Sequence, residues 1–140
     1  MSVAVAHSMT EAGAAALELA MTECGFRSEP LVVLHVAKDA DDAQDPLHRD
    51  HYLEQVRSQL NELGAPADLD WRLEVVGAGG DVAGALLDLA VQAGASILII
   101  GQKPRSRVGK FLMGSTVQRV VLDASMPVLV TRAHPGSLKA

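Results

Sequence analysis

Between Gly101 and Thr116 the sequence reads GQKPRSRVGKFLMGST, a set of residue types suited to holding a phosphate or another anion. Gly101 ends an apolar run, and with no side chain it lets a ligand or a loop approach closely. Lys103, Arg105, Arg107 and Lys110 form the densest basic stretch of the chain. Arginine offers a forked contact to phosphate, whereas lysine acts as a point charge. Gly114, Ser115 and Thr116 open a predicted helix, whose free N–H groups and dipole favour negative charge. The Ser115 and Thr116 hydroxyls add donors. A plainer reading fits the same residues. Ser115 with Gln118 spells a capping box, the two glycines serve tight packing, and the basic residues are a solvated loop.

Other chemistries find less support. Gly109-Lys110 is followed by Phe111, and the glycine spacing of a P-loop is missing. Gly77 to Gly80 lacks the dinucleotide fingerprint. His7, His35, His48, His51 and His134 show no tight metal-ligand spacing, and His48-Arg49-Asp50-His51 reads as solvated helix surface. His7 reads as an exposed loop residue able in principle to meet a base or a phosphate. No Ser-His-Asp arrangement emerges from spacing, and no catalytic residue or metal ligand is assigned.

The elements that must position this loop follow from the apolar pattern. Strands are predicted at Ser2 to Ala6, Leu31 to Val36, Trp71 to Val76, Ile97 to Ile100 and Pro127 to Val130. Ser8 or Thr10 caps a first helix that Gly25 stops. Residues 38 to 46 form a solvated acidic loop, and Asp45-Pro46 starts a second helix running to about Leu60. Asp81 caps a third helix ending at Gly94, and Ser115 opens the fourth. Apolar strands alternating with amphipathic helices imply a mostly parallel α/β sheet covered on both faces. The alternation of Trp71, Leu73 and Val75 with Arg72 and Glu74 marks an edge strand, with the Trp71 ring packed under a helix.

The chain has 140 residues, 49% of them hydrophobic and 21% charged, as expected of one globular domain over residues 1–140. A formal net charge of -5 argues against broad nucleic-acid binding. Cys24 is the only cysteine and reads as a small buried hydrophobe, so no internal disulfide forms. With no basic leader and no long apolar span, neither a membrane partner nor export is expected, and the cytoplasm is the default.

With Gly101, Gly114-Ser115, the surrounding Val108-Gly109-Lys110 and Leu112-Met113, and the ending Ala124-Ser125-Met126-Pro127-Val128-Leu129-Val130, the chain resembles the universal stress protein family from Val3 to Arg132. ATP-binding members carry Gly, two residues, Gly, nine residues, then Gly with Ser or Thr. Pro104 stands at the middle glycine and removes a backbone donor. Those members also carry Asp-Gly-Ser after the first strand, where this chain has Ala6-His7-Ser8.

The resemblance implies an open doubly wound five-stranded parallel sheet of order 3-2-1-4-5, like that of the adenine-nucleotide alpha hydrolases. It further implies a stress-response regulatory module that binds ATP or a related adenine nucleotide, with magnesium only alongside the nucleotide. Gly101, Lys103, Arg105, Lys110, Gly114, Ser115, Thr116 and Ser8 are then the binding residues, and Val33 lines the adenine pocket. A homodimer through Pro127 to Val130 and an unidentified regulatory protein are the implied partners. The alternatives are a dimeric interaction protein of the same fold that binds no nucleotide, or a slow ATP-dependent hydrolase.

Overall fold

The computed structural model of the protein describes residues 1–103 and 113–133. The chain forms β1 (Ser2–Ala6), α1 (Glu11–Arg27), β2 (Leu31–Ala37), α2 (Ala40–Gln44), α3 (Pro46–Glu62), β3 (Trp71–Gly77), α4 (Val82–Gln92), β4 (Ala95–Gln102), α5 (Ser115–Asp123) and β5 (Val128–Arg132). The strands make one five-stranded sheet in the order β3-β2-β1-β4-β5. Every strand pair is parallel.

Alternation along the strands divides the core in two. Val3, Val5, Leu31, Val33, Ile97 and Ile99 face a layer with Ala16, Leu17 and Ala20 of α1 and Val56 and Leu60 of α3. Ala4, Val32, Leu34, Leu98 and Ile100 face Leu86 and Leu89 of α4 and Val117 and Val120 of α5. The central strands are therefore apolar on both faces, which a parallel sheet sandwiched between helices requires. The small residues on the buried side of α1, Ala12, Gly13, Ala16 and Ala20, give its backbone close access to the sheet.

Several boundaries differ from the sequence expectations, each for a local reason. Thr10, not Ser8, caps α1: its Oγ1 accepts from the Gly13 N–H at 3.1 Å. Ser8 instead supports that cap, with its hydroxyl 2.7 Å from that of Thr10. The helix passes through Gly25 and stops at Ser28, which takes the left-handed conformation at φ 54. The acidic loop contains the short helix α2, where Asp39 caps and Asp41 and Asp42 lie in the dipole-favoured first turn. Asp45 and Pro46 do start α3. Gly114 is the N-cap of α5 with no side-chain cap bond, so the Ser115–Gln118 capping box does not form.

Trp71 packs at the margin of the α1/α3 core, and β3 is an edge strand. The opposite edge, β5, begins one residue after Pro127, whose carbonyl accepts from the Leu98 N–H at 2.9 Å. No helix among the described residues is long and apolar enough to cross a membrane.

Candidate functional site

A cavity of about 240 Å³ opens at the carboxyl ends of β1 and β4, where the chain order reverses across the sheet. Open parallel sheets place ligands at this point, because the strands on either side send their connections to opposite faces. Leu34 and Val36 of β2, Val82 and Leu86 of α4 and Ile100 of β4 form its apolar wall. The polar side is built from His7, Ser8, Thr10, Lys103 and Thr116. No carboxylate is among the described lining residues.

The residues expected to bind divide into three groups. Gly101, Lys103, Ser8 and Thr116 line the cavity. Gly114 and Ser115 are outside this lining: the Gly114 N–H donates to Gln102 Oε1 at 3.2 Å, and Ser115 is exposed. Gln102 is itself only 4% exposed, so the donor is occupied from within the fold. Arg105 and Lys110, like Pro104, Arg107 and Gly109, lie outside the described residues.

Val33 requires a correction. It has 0% exposure and belongs to the α1/α3 core, on the sheet face away from the α4/α5 side. Its neighbours Leu34 and Val36 take the lining role, because adjacent residues of a strand point to opposite faces.

Gly101 is constrained by packing as well as by the cavity. A Cβ at this position would lie 2.2 Å from the Ala12 carbonyl oxygen. The first turn of α1 therefore crosses directly over the end of β4. Gly13 plays a similar part, since its Cβ would meet the Ser8 carbonyl oxygen at 2.2 Å. These two contacts bring Ser8, Thr10 and Gly101 around one opening.

The cavity also holds a cluster that residue spacing did not reveal. His7 is partly buried, not an exposed loop residue, and its Nδ1 lies 2.9 Å from His35 Nδ1. Burial, followed by the neighbouring His35, pushes the His7 pKa down to about 4. Burial also lowers that of His35, with Asp42 opposing. Both rings are therefore neutral at pH 7, and one Nδ1 donates while the other accepts.

Gln59 favours one direction. Its Nε2 donates to the Ser8 carbonyl at 3.0 Å, which leaves Oε1 as an acceptor. The His7 interaction with Gln59 favours the protonated ring, as expected of a His7 N–H directed at Oε1. The two atoms stop short of a hydrogen bond: His7 Nε2 and Gln59 Oε1 are both buried and unpartnered. With its proton assigned to Nε2, on the Gln59 side, His7 accepts at Nδ1 and His35 donates from Nδ1.

Behind this pair, the Tyr52 ring packs on His35 with centroids 3.9 Å apart. The Tyr52 hydroxyl donates to Asp42 Oδ2 at 2.9 Å, and His48 pairs with Asp42 Oδ1. The bond from Tyr52 is the leading cause holding the Asp42 carboxyl below its usual pKa. One signal for the cluster was present in the sequence: His35 is the only polar residue of the apolar run LVVLHV. Nothing in the spacing of Asp42, Tyr52 and Gln59 linked them to it. No group of three His, Cys, Asp or Glu side chains suited to a metal occurs among the described residues.

A pocket with an apolar wall, hydroxyl donors and one lysine can bind an anion carrying a flat apolar group. Comparison with known proteins places this arrangement in context. The sequence profile of the universal stress protein family matches residues 1–132. A universal stress protein of Mycolicibacterium smegmatis is 30% identical over 132 residues, covering 94% of this chain and 98% of its own. The structure of a universal stress protein from Archaeoglobus fulgidus superposes with a TM-score of 0.73 at 24% identity, covering 93% of this chain and 97% of its own. A structure of the universal stress protein from the same organism in complex with dAMP gives a TM-score of 0.66 at 20% identity, covering 93% and 96%. The sheet order, the cavity at the strand reversal and the family match over nearly the whole chain agree, and the protein belongs to the universal stress protein family.

Proposed function

We propose that this protein is a regulatory module of the stress response that binds an adenine nucleotide in the cavity at the ends of β1 and β4. The observation that carries this reading is the division of the described lining residues into an apolar wall and a polar side without a carboxylate. The base packs against Leu34, Val36, Val82 and Leu86, and the phosphates face Lys103, Ser8, Thr10 and Thr116. The dAMP complex of the Archaeoglobus relative supports the choice of ligand class. ATP is the first ligand to try, and magnesium enters only as its counterion.

A second reading rests on two observations. The Gly114 N–H is already bound to Gln102, and Ala6 offers no side-chain hydrogen bond to a nucleoside. At the same time, among the described residues β5 pairs only with β4, and Val130 on that edge strand is 37% exposed. These features favour a homodimer through β5 that acts on a regulatory protein without nucleotide. Calorimetric titration of nucleotide-stripped protein with ATP and with AMP, with and without magnesium, separates the two. Saturable micromolar binding supports the nucleotide module. Absence of binding up to millimolar ligand overturns it in favour of the interaction protein.

A further inference from the structure

We propose that His7, positioned by His35, is the ligand-sensing group of the cavity, and that an anionic ligand enters together with one proton held by the histidine pair. The proposal rests on the nucleotide reading and adds a regulation to it.

The geometry comes first. His7 lines the cavity, and His35 is off the lining but shares a 2.9 Å bond with it. Two neutral imidazoles joined through one N–H can take up a further proton without breaking that bond. The proton adds to His35 Nε2. The bridging proton then moves from His35 Nδ1 to His7 Nδ1, so His7 becomes the cation and His35 is neutral again. The charge then rests on His7, the member of the pair that lines the cavity.

The surroundings oppose that charge in the free protein. From β2, His7 faces only His35, and from α3 it faces the neutral Gln59 amide. Ser8 and Thr10 at the start of α1 and Thr116 of α5 are uncharged, and among the described lining residues the one ionic group is Lys103, a cation. Asp42 of α2 lies behind His35, its carboxylate shared by Tyr52 and His48, and favours a charge on His35. An anion in the cavity supplies on the His7 side the negative charge that no described lining residue provides. The low titration of free His7, about 4, agrees with this. Each unit by which a bound ligand raises that value strengthens binding about tenfold at pH below both values, relative to pH above both.

The test uses ATP without magnesium and the whole chain. The His7 ring proton, assigned with His7→Gln, is titrated by NMR in the free and ATP-saturated protein. Proton uptake is counted at about pH 4.5, between the free midpoint and the expected bound one, by calorimetry in buffers of different ionisation heat. ATP protonates its own terminal phosphate at about pH 6, so the protein's share is the excess of wild type over His7→Gln.

We expect the His7 midpoint to rise by at least one unit on saturation, with a wild-type proton uptake that exceeds that of His7→Gln by about half a proton or more and that of His35→Gln by less. If His7→Gln does not fold, the wild-type midpoint and the His35→Gln uptake decide. ATP that binds with an unchanged His7 midpoint overturns the histidine proposal and leaves the nucleotide reading standing. ATP that fails to bind at both pH 7.5 and pH 5 overturns both.

Discussion

Replacing Gly101 with alanine would set a methyl carbon 2.2 Å from the Ala12 carbonyl oxygen and 2.6 Å from its carbonyl carbon. Both atoms are backbone, in the first turn of α1, so no side-chain rotation relieves the contact. Ordinary van der Waals contact requires a retreat of about 1 Å or more. The turn cannot retreat alone, because its cap bond from Gly13 to Thr10 and the Gly13 contact with Ser8 hold it against the end of β1. The strand cannot retreat either, since Gly101 is paired with Thr131 of β5.

Inserting one methyl group into a filled site usually costs about 1–3 kcal/mol, and the rigidity of both partners puts Gly101→Ala near the top of that range. For a domain of this size, that corresponds to a fall in Tm of about 6–12 °C. Urea unfolding followed by circular dichroism, paired with a thermal scan, gives both numbers without any ligand. A loss below about 0.5 kcal/mol, the ordinary range for a surface change, would refute the packing argument. Gly101 would then be free to serve the ligand alone.

Further outcomes follow from the same structure. Leu98→Ala, at a position with 0% exposure in β4, should cost about 2–5 kcal/mol in urea unfolding. Thr10→Ala removes the cap of α1 and should cost about 1 kcal/mol, whereas Ser115→Ala should be nearly silent because Ser115 makes no cap bond. The lowered His7 pKa makes the unfolded chain bind more protons than the folded one between pH 4 and 6.5, so stability of the free protein rises with pH across that window. After allowance for the partial exposure of His7, that contribution is about 2 kcal/mol, and His7→Gln should flatten the urea midpoint against pH between those limits. On the reading of a homodimer through β5, wild type should sediment as a dimer and Val130→Lys as a monomer, and a variant that sediments like wild type would remove β5 from the interface.

The sequence by itself determined those features that depend on neighbours a few residues apart. Apolar runs separated by helical patterns announced five strands and the four longer helices between them, but not the short α2 in the acidic loop. Asp45-Pro46 and Asp81 announced two helix starts, through a proline pre-organised for the first turn and a carboxylate that accepts an N–H of that turn. Where two local signals competed, the nearer match was not always the one used: Gly25 stays inside α1, and Ser28 ends it. A glycine in a helix costs only about 1 kcal/mol, which tertiary packing of α1 readily offsets.

Tertiary structure alone decided which face each strand residue takes and which distant residues meet. LVVLHV is apolar at both parities up to His35, so nothing in its pattern distinguishes Val33 from Leu34. The register of β2 against β1 and the helices on either side assign Val33 to one core and Leu34 to the cavity. The meeting of His7 with His35, of Gln59 with Ser8 and of Ala12 with Gly101 likewise joins segments far apart in the chain. Periodicity reports what each residue needs from its surroundings, but the identity of those surroundings arises only when parallel strands and their crossovers close the sheet.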